Sequence, residues 1–195
     1  MNIEKTVKNL ELRGFSVKRF ETGAQAAEYL KGVCAGQTVG FGGSKTLDQI
    51  GIFDMLPEGS AFWHWRVPGN ETLAKAAQAD LYLSSANAIT EGGEIVSVDG
   101  RGNRISNQVF GHKKVFIVTS TSKIVEDLNA AIDRSRGTVA IENGKRFPNN
   151  PPCKLDGKCH DCRSPEKFCR AMTVLWAPMM GMETEVVLID EKLGI

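Results

Sequence analysis

The sequence predicts an α/β protein, a three-layer sandwich with a mostly parallel sheet covered by helices on both faces. Three observations carry this. Short apolar runs such as Val115-Phe116-Ile117-Val118 read as fully buried strands. They alternate with helical patterns of about 10–15 residues, the spacing of βαβ units. Glycines gather where strands hand over to helices, as at Gly40-Phe41-Gly42-Gly43. The 195 residues fall within the roughly 100–200 of one domain, so residues 1–195 are expected to form a single unit with a cysteine-rich loop inserted at about 148–170.

At the N-terminus Ile3, Val7 and Leu10 recur at helical spacing among Glu and Lys, which predicts an amphipathic helix over 2–13, ending near Gly14. Residues 15–20 alternate like a strand. Thr22 is placed to cap a second helix over 24–33, its hydroxyl taking an orphan amide of the first turn. A strand over 37–41 runs into glycine, followed by a helix near 46–50, an aromatic strand over 60–65, an Ala-rich helix over 71–79 and a strand over 81–85. A strand pair is expected to flank Val98-Asp99-Gly100, and a buried strand spans 115–118. Helices follow over 123–134 and 139–146. Residues 148–165 carry prolines and cysteines without periodicity, so they form a loop that needs an external staple. Strands over 173–176 and 185–189 close the pattern.

Lys plus Arg number 24 and Asp plus Glu 23, a formal charge of +1. No global field draws the chain to nucleic acid, and no local run of basic residues suggests such a partner. The uncharged stretch 171–182 is broken by Pro178 and falls short of the about 20 apolar residues that span a bilayer. Charges interrupt the first eight positions, which is unlike a secretory signal. A cytoplasmic protein is therefore expected, with its five cysteines free, catalytic or metal-bound rather than paired.

In parallel sheets the ligand crevice lies outside the C-terminal strand ends, which directs attention to three loops. The first, Gly42, Gly43, Ser44, Lys45 and Thr46, offers backbone amides, two hydroxyls and a cation to an anion, or else forms a plain turn with Ser44 as N-cap. It matches neither the ATP-binding Walker loop nor the dinucleotide fingerprint, so no ATP or NAD site is expected. The second contains Asn87, Thr90 and Glu91 and leads to Asn103 and Arg104; these could converge on one cleft, with Glu91 as nucleophile or general base, or merely cap a hairpin. The third ends in Lys123, where Ser120 or Ser122 caps an expected helix carrying Asp127 in its first turns.

The sharpest local signal is Cys153-x5-Cys159-x2-Cys162-x6-Cys169. A Cys-x2-Cys pair lets two thiolates chelate one ion, and four thiolates satisfy tetrahedral zinc or an iron–sulfur cluster. His160 could replace one ligand, and the spacing leaves zinc and iron–sulfur both open. Cys34 reads as a small buried hydrophobe, and Met172, Met179, Met180 and Met182 as core filler.

With these segments in view the chain resembles the LUD (lactate utilisation) domain family over about residues 2–194. The resemblance rests on Gly40-Phe41-Gly42-Gly43-Ser44-x-Thr46 with Ile50-Gly51, on Ala79-Asp80-x4-Ser85-Ala86-Asn87-Ala88-Ile89-Thr90-Glu91-Gly92-Gly93, on Gly102-Asn103-Arg104 and on Asn129-Ala130-Ala131-Ile132-Asp133-Arg134. The cysteine segment is similar to that of a stand-alone bacterial subgroup. The resemblance implies a fold like that of glucosamine-phosphate deaminase, ribose-phosphate isomerase and CoA transferases. It also implies a binding cleft for a small anionic metabolite at Gly42, Gly43, Ser44, Thr46, Asn87, Thr90, Glu91, Asn103, Arg104 and Lys123. Some members are subunits of an iron–sulfur system that oxidises lactate to pyruvate, so such subunits are implied partners; a homodimer is left open by the sequence. Glu91-Gly92-Gly93 is similar to the nucleophilic Glu-Asn-Gly of CoA transferases but lacks the Asn. The functions left open are an accessory protein, a CoA-transferase, hydrolase or sugar-phosphate isomerase using Glu91, and a ligand sensor without turnover.

Overall fold

The computed structural model describes residues 1–195. Helix α1 (Ile3–Leu12) is capped by Asn2, whose side chain accepts the Lys5 amide. Strand β1 (Ser16–Phe20) follows, and α2 (Gly23–Val33) starts on the expected cap, where Thr22 and Gln25 form a capping box. Next come β2 (Val39–Phe41), α3 (Lys45–Ile50), β3 (Ala61–Phe62), α4 (Asn70–Ala77) and β4 (Leu81–Ser84). Strands β5 (Ala88–Thr90) and β6 (Ile95–Asp99) form an antiparallel hairpin, after which lie α5 (Asn103–Val109), β7 (Lys114–Ser120) and β8 (Ile124–Val125). Helix α6 (Leu128–Arg134) passes through a π-helical turn (Ser135–Val139) into α7 (Ala140–Gly144), and the chain ends with α8 (Cys153–Asp156), β9 (Ala171–Leu175) and β10 (Glu183–Ile189).

Six strands form the central sheet in the order β1-β10-β7-β4-β2-β3, every pair parallel. Successive side chains of a strand point to opposite faces, and the core divides accordingly. Leu81, Leu83, Phe116, Val118, Val187 and Ile189 face α2 and α3, meeting Ala26, Leu30 and Leu47. Tyr82, Val115, Ile117, Val186 and Leu188 face the other way, toward Leu10 of α1 and toward Ile89 and Ile95 of the second sheet. That second sheet, β8-β5-β6-β9, carries α6 on its far face through Ala88, Val96 and Ala131. The expected sandwich is therefore present, and the hairpin foreseen in the sequence belongs to a four-stranded sheet of its own.

Several expectations are corrected. No second strand follows Gly100; the Asp99 carboxylate accepts the amides of Arg101, Gly102 and Arg104, which winds this stretch into the start of α5. The helix expected over 123–134 is split. Ser120 caps a single tight turn, Thr121–Lys123, then Ile124 pairs with Ile89, and Asp127 is itself the N-cap of α6, accepting the Ala130 amide. The aromatic strand shrinks to Ala61–Phe62, because Trp63 turns inward to stack on Phe41 at 5.3 Å and on Trp65 at 5.5 Å. Met182 is buried and Met179 and Met172 pack on the core, but Met180 is fully exposed. No helix is long and apolar enough to cross a membrane.

Candidate functional site

Because β7, β4 and β2 are adjacent and parallel, the loops after their C-terminal ends leave the same edge of the sheet side by side. One side chain ties all three. Lys123, after β7, donates from Nζ to Thr46 Oγ1 (3.0 Å) beyond β2 and to Ser85 Oγ (3.4 Å) beyond β4. Lys123 is only 5% exposed and has no carboxylate partner. Burial, followed by the charges of Arg134 and Arg104, pushes its ammonium down to about 7.

These loops form the floor of a cleft of about 730 Å³, within the about 300–1,000 Å³ typical of small-molecule sites. Eight cationic side chains line it, Lys45, Arg66, Arg101, Arg104, Lys123, Arg146, Lys167 and Arg170, against two acidic ones, Asp48 and Asp99. Only Arg66 of the eight forms an ion pair, with Asp48 and Asp54. Asp99 is itself engaged by three backbone amides at 2.9–3.1 Å. A chain of formal charge +1 thus concentrates its unneutralised positive charge in one concavity.

Arg104 braces the cleft wall. Its guanidinium donates to Ser85 O (2.7 Å), Val98 O (2.6 Å), Asn87 Oδ1 (2.8 Å) and Ser97 Oγ (3.3 Å), joining the loop after β4 to β6. Asn87 is fixed from both sides, since its carbonyl oxygen also accepts from Arg134 at 2.7 Å. Trp65 forms another wall, with the Arg146 guanidinium 3.9 Å from its ring centre. It lies directly on the glycine loop: a Cβ on Gly43 would stand 2.9–3.1 Å from the indole, which explains why glycine occupies that position.

Of the residues singled out in the sequence, Gly43, Ser44, Lys45, Asn87, Asn103, Arg104 and Lys123 line this cleft. Gly42 lies behind it, packed toward Arg104, Ser84 and Tyr82. Thr46 is buried beneath Lys123, and Thr90 is buried and bonded to Glu94. Ser44 does serve as N-cap, its hydroxyl accepting the Leu47 amide at 3.1 Å. Glu91 is elsewhere. Its carboxylate accepts the Asn2 amide (2.9 Å) and the Lys5 ammonium (3.0 Å), pinning α1 to the hairpin, and these contacts hold its pKa below the usual carboxylate value. Glu91→Gln is therefore expected to cost little stability, since Lys5 is largely exposed, and to leave ligand affinity at the cleft unchanged; a tenfold loss of affinity in that variant would put Glu91 back at the site.

Arg66, Arg146 and Trp65 were not foreseen. Arg66 directly follows the aromatic run Trp63-His64-Trp65, which falls in the strand expected over 60–65, and Arg146 ends the helix expected over 139–146. Both reach the cleft only because the chain turns away from β3 and because the π-helical turn redirects α7. The two other histidines are accounted for differently: His112 bonds Ala79 O and Asn107 Oδ1 beneath Tyr82, whereas His64 lines the cleft with a buried Nδ1 that has no partner. Cys34 is buried in the core, its thiol pushed up to about 12 by burial.

All five cysteines are free. Cys153, Cys159, Cys162, Cys169 and His160 border one small pocket, although no three His, Cys, Asp or Glu side chains stand close enough together to hold a metal ion as they are placed.

A parallel sheet covered by helices, with a charged cleft at the C-terminal strand ends, defines the general class of this protein as an α/β sandwich. The chain belongs to the LUD domain family, whose profile matches residues 3–189. A solved structure, that of a DUF162 family protein from Deinococcus radiodurans, is similar in fold: 12% identity, a TM-score of 0.57, and coverage of 96% of this chain and 95% of that one. No curated protein matches.

Proposed function

We propose that the protein is an accessory component of lactate and organic-acid utilisation that holds a small anionic metabolite or anionic cofactor in the cleft beneath Trp65. The observation that carries this reading is the excess of unpaired cations there, centred on Lys123, which no protein carboxylate neutralises. An ammonium held in low dielectric binds an anion more strongly than an exposed one would. Membership in the LUD family supports the organic-acid context, and the partners that fit it are iron–sulfur subunits of a lactate-oxidising system.

Calorimetry with lactate, pyruvate, sulfate, phosphorylated metabolites and CoA at low and moderate salt tests this. At least one is expected to bind stoichiometrically, with affinity falling as salt rises. Absence of binding across the set, together with failure of the protein to co-purify with its iron–sulfur partners or to alter lactate oxidation, refutes the proposal.

A second reading is favoured by Lys123 alone. An amine titrating near neutrality inside a ligand cleft is suited to move a proton to or from a bound substrate. Turnover of a sugar phosphate that vanishes in Lys123→Met would select this reading over simple binding.

A further inference from the structure

Beside the cleft, a second chemical feature has no use in the reading above. Between Gly144 and Ala171 only Pro151 is buried, and the sole regular element is the four-residue α8. A segment of this length without a core of its own needs another source of order. Its four thiols come from separate stretches yet border one pocket: Cys153 opens α8, Cys159 and Cys162 flank a two-residue turn, and Cys169 leads into β9. Within that turn Asp161 has φ +46°, the one non-glycine residue of the chain in the left-handed region. That conformation is disfavoured for a residue with a side chain, and here it accompanies a turn whose flanking cysteines border the same pocket.

The surroundings fit a negatively charged centre. Arg136 and Lys167 border the pocket, and Arg136 is oriented by an ion pair with Asp161. Four clustered thiolates are stable together only around a cation. The carboxylate of Asp156 engages His160 at 2.9 Å, which leaves the sulfurs as the donor set.

We propose that Cys153, Cys159, Cys162 and Cys169 hold a thiophilic metal centre, zinc or an iron–sulfur cluster, that fastens residues 148–170 against α7. Loading converts four thiols to four thiolates and releases their protons to solvent, with no change of oxidation state at sulfur. As they are placed no three of these side chains stand close enough together to hold an ion, so loading requires the loop, which has no core of its own, to draw in around the metal. The proposal stands independently of what the cleft binds.

The full chain, purified without oxygen and then reconstituted either with zinc or with ferrous iron and sulfide, tests it by metal and sulfide analysis. About one zinc in a colourless protein, or about four irons and four sulfides with visible absorption, supports the proposal and identifies the centre. The metal should be lost in Cys159→Ser/Cys162→Ser and retained in Cys34→Ser. Should the double variant fail to fold, titration of the wild-type chain with cobalt gives thiolate charge-transfer bands if the site exists. Equal metal in the double variant and the wild type, disulfides among the four cysteines, or no stoichiometric metal and no cobalt bands in the wild type overturns it.

Discussion

Replacing Lys123 with methionine is expected to weaken anion binding at the cleft by about 100-fold or more while making the empty protein more stable. The two effects have one origin. The ammonium is buried with only the hydroxyls of Thr46 and Ser85 as partners, so its charge is poorly compensated until an anion arrives. Losing a charge-assisted contact of about 2.7 kcal/mol accounts for the fall in affinity. Replacing a buried charge with an apolar side chain of similar length stabilises by roughly 1–4 kcal/mol in favourable cases. About 1–2 kcal/mol is expected here, because the Thr46 hydroxyl loses its donor.

The pH dependence separates this account from a purely steric one. Lys123 titrates near 7 in the folded protein and near 10.5 when unfolded. Between those values the unfolded chain binds more protons, so stability rises with pH over that window and is level below it. The advantage of Lys123→Met should therefore be full at pH 6 and shrink steadily as pH rises above 7. Wild-type affinity for sulfate, whose charge is constant over this range, should fall above pH 7, by up to about tenfold per unit. Denaturant melts and calorimetry at three pH values decide the matter: a variant less stable than wild type at pH 6 with intact sulfate binding would refute it.

Arg104→Met is expected to act in the opposite sense on stability, lowering it by about 3–5 kcal/mol. The guanidinium satisfies two carbonyls, a carboxamide oxygen and a hydroxyl within the cleft wall. A thioether supplies no donors, so these acceptors lose partners where water reaches them poorly. For a chain of this size that corresponds to a melting point about 10 °C lower. A change below about 1 kcal/mol would mean that water replaces the arginine and that the wall is not braced by it.

The contrast between these two cations also marks what could be read from sequence. The sheet was legible because its central strands are buried on both faces and so appear as unbroken apolar runs, as over 115–118. The three loops were legible because parallel strands place their C-terminal ends on one edge. Ser44, Asn87 and Lys123 accordingly line a single cleft. The helix start assigned to Lys123 was not correct, since a local Ser120 cap and a pairing of Ile124 with Ile89 from a distant hairpin compete with helix propagation. Glu91 was misleading for a related reason. A carboxylate beside two glycines looks accessible, and only the fold reveals Asn2 and Lys5 upon it. The charge of the cleft was invisible because Arg66, Arg101, Arg146 and Arg170 are scattered along the chain, and only the fold brings them to one concavity.

The π-helical turn between α6 and α7 carries one residue more than an α-helix would need there. Its effect is a phase setting. Each helical residue advances the side-chain direction by about 100° and the axis by about 1.5 Å. A chain one residue shorter within 135–139 would swing Asn143 and Arg146 out of the cleft and take the guanidinium off Trp65, although every side chain of α7 would be retained. Length variation in this fold should therefore be forbidden in these five positions, so the spacing there is as much a part of the site as any charged group.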